Sequence, residues 1–213
     1  MVIRMRTSVA MAVCTFAIGA AVVGAASNEF ISTWKAPGAG QMNFAGRKVA
    51  AVLIVDDNDL RVSAEEALAR EITARGPNGV PGYRIIPREE FKNKDAARSW
   101  FEKAGVEGLI VMRLVKTDTQ KVYSSVVWSS GYYNYAYDYW GYGWASVYPI
   151  GEARNETTIT VETLLFDLTK GTPIWAGVSL TTDPKNVQAY MKSLAIDIVK
   201  KLEKDGLIRK GRR

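Results

Sequence analysis

Apolar positions along the chain follow a few distinct rhythms. Val49-Ala50-Ala51-Val52-Leu53-Ile54-Val55 is continuous. A run of that length suits a strand covered on both faces, hence central and parallel to its neighbours. The polar quartet Asp56-Asp57-Asn58-Asp59 follows. Leu60, Ala64, Ala67, Leu68 and Ile72 then recur at helical spacing, which predicts a helix over 60–75 stopped by Gly76. Tyr83-Arg84-Ile85-Ile86 reads as a short strand, and Pro87 with Glu89 and Glu90 as a brief helical turn. Ala97, Trp100, Phe101 and Ala104 give a second helix, over 95–104, its apolar face; Gly105 ends it. Residues 108–123 read as a long strand, apolar from Leu109 to Val115 except at Arg113.

Farther along, the period becomes two. Ile159, Val161 and Leu165 alternate with Thr158, Thr160 and Glu162. Ile174, Ala176, Val178 and Leu180 alternate with Trp175, Gly177, Ser179 and Thr181. These segments read as strands joined at Lys170-Gly171-Thr172, a hairpin with one face on the core. Asp183-Pro184 opens a last helix, with Asp183 as N-cap and Pro184 at the first helical position. Val187, Met191, Leu194, Ile198 and Leu202 form its stripe, and Gly206 ends it. Residues 28–35 read as an extended entry anchored by Phe30 and Trp34, before the breaker cluster 36–40. The order is β-α-β-α-β-β-β-α. The class is α/β (α+β): a single mixed sheet of about five strands, with early strands parallel through crossover helices and late strands antiparallel.

A different segment precedes this domain. Arg4 and Arg6 make a basic start, no charge appears from Thr7 to Asn28, and Val23-Gly24-Ala25-Ala26 supplies small residues. The pattern predicts a secretory signal peptide over 1–26, cleaved near Ala25 or Ala26, followed by one domain over 27–213. The competing reading is an uncleaved anchor, since the uncharged run is just long enough to span a bilayer. Cys14 is the only cysteine. Bulky Val13 stands where a lipoprotein box needs a small residue, and the apolar stretch continues beyond, so acylation at Cys14 is not expected. The cleaved chain would hold no thiol and form no disulfide. The expected location is periplasmic or secreted, with outer-membrane association as a variant.

Charge and composition narrow the chemistry. The chain has 28 Lys+Arg, 22 Asp+Glu and no histidine. Missing His removes the commonest general base and the commonest imidazole metal ligand. Loss of the signal would leave 26 basic against 22 acidic side chains, a mild excess. Lys200, Lys201 and Lys204 and the tail of Arg209, Lys210, Arg212 and Arg213 read as a solvated end, and export makes nucleic acid an unexpected partner. Glu65 with Glu66, and Glu89 with Glu90, are adjacent and point in different directions on a helix. Glu156 and Glu162 stand roughly 20 Å apart along a strand. Asp56, Asp57 and Asp59, at the carboxyl end of a central strand, are weak ligands for Mg²⁺ or Ca²⁺, with capping as their ordinary role. No enzyme activity and no cofactor are expected.

The most specific feature is an insertion at about 124–149. Eight of ten tyrosines and three of six tryptophans lie from Tyr123 to Tyr148. Its densest stretch supplies the candidate binding residues Tyr132, Tyr133, Tyr135, Tyr137, Tyr139, Trp140, Tyr142 and Trp144. Large, stiff rings with a polar handle suit contact with an envelope protein or stacking on a cell-wall glycan. Membrane contact is expected only at an interface or through an uncleaved signal. The bland alternative continues the strands, with Tyr133, Tyr135, Tyr137 and Tyr139 covering one sheet face.

Several motifs together resemble a known family. They are Phe30-Ile31-Ser32-Thr33-Trp34-Lys35; Leu60-Arg61 with Glu65-Glu66-Ala67-Leu68; Glu162-Thr163-Leu164-Leu165-Phe166-Asp167; Ile174-Trp175-Ala176-Gly177-Val178-Ser179; and Asp183-Pro184. The chain resembles small bacterial exported proteins, many of them assigned as lipoproteins, built on a domain of unknown function. The resemblance implies a fold like the small α/β domains of envelope assembly factors, such as the amino-terminal domain of the Tol-system propeller protein and the periplasmic domain of curli-secretion lipoproteins. It carries no catalytic residues over. The expectation is a non-enzymatic envelope protein, an adaptor or assembly accessory working through its aromatic segment. The alternatives are a glycan- or peptidoglycan-binding module and, behind both, a metal-dependent hydrolase at Asp56–Asp59.

Overall fold

The computed structural model describes residues 28–118, 137, 140, 157–182, 184 and 186–209. The expected signal segment with Cys14, the residues Tyr132, Tyr133, Tyr135, Tyr139, Tyr142 and Trp144, and Asp183 lie outside them. Among the described residues six strands are present: β1 (Glu29–Lys35), β2 (Lys48–Ile54), β3 (Asn78–Pro81), β4 (Gly108–Asp118), β5 (Thr158–Asp167) and β6 (Thr172–Thr182). The α-helices described over their full length are α1 (Asn58–Ala74), α2 (Lys94–Lys103) and α3 (Val187–Lys204). The strands make one mixed sheet in the order β1-β6-β5-β4-β2-β3. β2 runs parallel to β3 and β4, while β4, β5, β6 and β1 pair antiparallel.

The two crossovers leave and re-enter the parallel part in opposite directions. From β2 the chain steps outward through α1 to β3, then back across β2 through α2 to β4. Right-handed connections of opposite sense place their helices on opposite faces. The buried side chains divide accordingly. Ala64, Leu68 and Ile72 of α1 share one layer with Leu194, Ile198 and Leu202 of α3 and with Val49, Ala51 and Leu53 of β2. Ala97 and Phe101 of α2 share the other with Ala50, Val52 and Ile54. The uninterrupted apolar run of β2 thus feeds both layers, as its sequence predicts.

Four expectations need correction. Residues 28–35 are not merely an entry: they form edge strand β1 on β6. The short strand lies at Asn78–Pro81, and Gly82–Arg84 is a 3-10 turn. There Gly79 passes so close to α1 that a Cβ would come 2.2 Å from the Ala69 carbonyl oxygen, so packing against the helix fixes the strand and β-propensity does not. The last helix starts at Val187. Asn186 caps it by accepting the Ala189 N–H at 2.9 Å, and Pro184 precedes it. The β5–β6 hairpin is covered on both faces rather than one: every residue of β5 is buried.

That double coverage explains the polar row on β5. Thr158, Thr160 and Glu162 belong to the face that continues into Leu164 and Phe166, under the α2 layer. Glu162 accepts from Arg113 Nη2 at 2.9 Å, directly across from it on β4, and both side chains are at most 1% exposed. A register shift near Leu165 and Phe166 places Ile174 in the same layer as Trp175, away from Ala176 and Val178. The Trp175 indole lies over Gly177, where a Cβ would fall 2.4 Å from the ring. Its Nε1–H donates to Asp205 Oδ2 at 2.8 Å, tying the end of α3 to the sheet.

Glu65 ties α1 to the same sheet. β3 stops at Pro81, opposite Ala51, so β2 runs on without a strand on that side. The buried Glu65 carboxylate fills the gap: Oε1 accepts the Leu53 N–H at 3.1 Å and Oε2 the Tyr83 N–H at 2.6 Å. Burial pushes its carboxyl up to about 7 from 4.5, against the pull of those two donors and of Arg61. The folded state therefore holds the Glu65 proton more tightly than the unfolded chain does. Its contribution to stability is full below about pH 4.5 and declines as pH rises to about 7. Denaturant unfolding across that window should show the decline, and the Glu65→Gln variant should lose that component while being less stable by roughly 1–3 kcal/mol, because an amide N–H then faces a backbone donor.

Candidate functional site

Two aromatic candidates fall among the described residues, and they are placed differently. Trp140 is a core residue, 1% exposed. Its indole stands edge-on to Phe91 and Phe101, with centroids at 5.1 and 5.8 Å. Its Nε1–H donates to the Phe91 carbonyl at 2.8 Å, which satisfies the one polar atom that burial would otherwise strand. Tyr137, three residues earlier, also has helical backbone. For these two positions the alternation of a continuing strand does not hold.

Tyr137 opens onto a cleft of about 480 Å³ between α2 and the β5–β6 turn. Lys94, Asp95, Arg98 and Glu102 of α2 form one wall, and Thr169 and Lys170 of the turn form the other. Asn93 starts this stretch of α2 by capping the Asp95 and Ala96 N–H groups. Arg98 binds Glu102 at 2.8 Å and holds its guanidinium carbon 5.4 Å from the Tyr137 ring centroid. Burial raises the Tyr137 hydroxyl above its usual range, the Glu102 charge adds to that, and Arg98 opposes it. The hydroxyl is thus a neutral donor at any physiological pH. An aromatic ring bordered by cations, carboxylates and a threonine presents both a stacking face and hydrogen-bonding groups.

The aspartates at the end of β2 are arranged otherwise. Asp57 caps α1, its Oδ1 accepting the Asp59 and Leu60 N–H groups at 3.0 Å each. Exposed Asp56 pairs with Lys92 Nζ at 2.6 Å. Asp59 lies in the first turn of α1, where a negative charge favours the helix dipole. Among the described residues no three carboxylates converge as a metal site would require. On the α1–α3 face an apolar crevice of about 340 Å³ opens at the carboxyl ends of β2 and β4, the point where the crossovers change direction. Leu114 and Val187, the exposed large hydrophobic residues among those described, both border it.

Sequence reasoning missed three groups here. Arg113 stood out as the one polar residue of an apolar run, yet its partner is the non-local Glu162. Glu65 and Glu66 diverge as adjacent helix positions must, and Glu66 accepts from Arg84 Nη2 at 2.6 Å, but nothing local marks Glu65 as the buried one of the two. Arg61 stood in one of the family-like motifs and carried no further signal beyond its helical position. For Trp140 and Tyr137 the geometry separates anchoring from presentation. Trp140→Ala should lower stability by about 3–5 kcal/mol, whereas half-buried Tyr137→Ala should lower it by about 1 kcal/mol; thermal or denaturant unfolding of the two variants distinguishes them.

No family model matches the chain, and no curated protein does. Among solved structures, the PelC dodecamer from Paraburkholderia phytofirmans overlaps 87% of this chain and 99% of its own, with a TM-score of 0.45 and 12% identity. A point variant of that dodecamer in a second crystal form overlaps 86% and 99%, with a TM-score of 0.43 and 15% identity. The likeness lies in the path of the backbone and assigns no role to any residue here.

Proposed function

We propose that this is an exported, non-enzymatic cell-envelope protein, an adaptor or assembly accessory that makes its contacts through the aromatic segment. One observation carries the reading: Trp140 is fastened to the core, while Tyr137, three residues earlier in the sequence, faces an open cleft. A segment spent entirely on covering the sheet would bury both rings. The absence of histidine from the whole chain and the commitment of Asp57 to capping support a binding role over a hydrolytic one. The basic start and small-residue end of the first 26 residues support export. Among the described residues no helix is long and apolar enough to cross a membrane.

A second reading, a glycan-binding module, is favoured by the composition of the cleft. A tyrosine ring beside Arg98, Asp95, Glu102 and Lys170 offers a face for a sugar ring and partners for its hydroxyls. A photoreactive residue at Tyr137, irradiated in intact cells, separates the two. A reproducible adduct with one envelope protein is the expected result, and adducts confined to wall glycan move the assignment to the second reading. If Tyr137→Ala changes neither the adducts formed from a neighbouring position nor co-sedimentation with purified wall sacculi, the cleft has no part in recognition.

A further inference from the structure

We infer that Arg61 forms the base of an oxyanion-binding pocket at the carboxyl end of β2. Arg61 is in the first turns of α1 and is only 5% exposed. Burying a guanidinium is costly unless a counter-charge and hydrogen bonds offset the loss of water. Here the compensation is incomplete. The Nε–H is buried and makes no hydrogen bond, and among the described residues no carboxylate oxygen comes within ion-pair distance of the side chain. Glu65, one turn along the helix, attracts it, but both Glu65 oxygens are taken by the Leu53 and Tyr83 N–H groups. What fixes the guanidinium is the Phe91 ring, whose centroid lies 4.3 Å from its central carbon.

The Arg61 side chain borders a cavity of about 260 Å³ at the carboxyl end of β2, between the start of α1 and Phe91. Arg88 and Lys92 stand at the same cavity, with Asp56, Glu89 and Asn58. The acids do not neutralise it: Asp56 is drawn to Lys92 and Glu89 is exposed at the surface. Among the described residues three cations and two carboxylates line the cavity, and the most deeply buried of the five, Arg61, has no carboxylate oxygen within ion-pair distance. The adjoining Asp57 carboxylate is occupied in capping α1. An Arg fork is shaped for two oxygens of one planar or tetrahedral anion. The position, at the end of a parallel strand beside the start of a helix, is where open α/β sheets commonly take ligands. The chemistry recognised is therefore an oxyanion, phosphate or carboxylate, with space for one small substituent. This is the opposite charge preference to the metal site that Asp56, Asp57 and Asp59 suggest in the sequence.

Titration calorimetry of the purified chain with inorganic phosphate tests this directly, using chloride at equal ionic strength as the control. Saturable heat with phosphate and none with chloride is expected. Arg61→Gln should weaken binding at least about tenfold, and Arg88→Gln, at an exposed position, by roughly threefold. Arg61→Lys keeps the charge and loses the fork, so it should bind less tightly than the parent while retaining its fold. Glucose 1-phosphate and glucuronate identify the source of the anion. Tighter binding of either than of phosphate points to an acidic glycan, and equal or weaker binding points to the free ion. The inference fails if none of the three gives saturable heat, or if folded Arg61→Lys and Arg88→Gln both bind like the parent.

Discussion

Arg113 and Glu162 hold β4 and β5 in register, and much of the remaining structure depends on that register. The two residues are direct cross-strand partners, sealed from water under the α2 layer. A slip of one residue would set Arg113 against Val161 or Thr163 and break its ion pair with Glu162. Removing one partner from such a pair typically costs about 3–5 kcal/mol. A slip would also exchange the faces of β5, because side chains alternate with period two. Ile159, Val161 and Leu165 would leave the α1–α3 layer, and Leu164 and Phe166 would leave the α2 layer. Relative to well-packed apolar residues a buried ion pair commonly adds little net stability. Its contribution here is to make one arrangement of two double-faced strands far better than its neighbours.

A sheet covered on both sides also decides how the aromatic segment is used. The α2 layer is supplied by a ten-residue helix, short turns and Trp140. Trp140 fills the space between Phe91 and Phe101, and Phe91 in turn supports Arg61 from its other contacts. Phe91 therefore connects the anchor of the aromatic segment to the cation at the end of β2. The same ring thus touches both the anchor of the segment that carries Tyr137 and the cavity at Arg61.

The parts of this architecture that were legible in the sequence are those set by local contacts. The β2 run, the two crossover helices and the helical stripe of α3 each show their period within a dozen residues. β1 was not recognised as a strand because its partner, β6, is about 145 residues away, and nothing within Glu29–Lys35 announces the pairing. β3 was displaced because Asn-Gly-Val-Pro has turn-like composition and becomes a strand only when α1 presses on Gly79. The start of α3 was misplaced because Asp183-Pro184 and Asn186 offer the same capping chemistry three residues apart. The hairpin looked half-solvated because Thr and Glu were counted as solvent-facing, which holds only where no second layer lies above them. At the candidate site, the aromatic density drew attention to the segment, but it could not separate buried Trp140 from half-buried Tyr137, because burial depends on the non-local partners Phe91 and Phe101. Arg61 stood in one of the family-like motifs, but its burial was not legible, since an arginine on a helix is ordinarily a surface residue.

Glu65 has one more consequence. The Leu53 amide is held by a helix side chain, whereas a strand amide is ordinarily held by the neighbouring strand. Its proton can be released by lifting α1 alone, with the pairing of β2 to β4 intact. Hydrogen exchange at that single amide is therefore a clock for undocking of the helix, distinct from the clock that the rest of β2 keeps for opening of the sheet. Because the helix also carries Arg61, the same motion would remove the guanidinium from its place over Phe91, so the one amide reports on the integrity of the pocket as well.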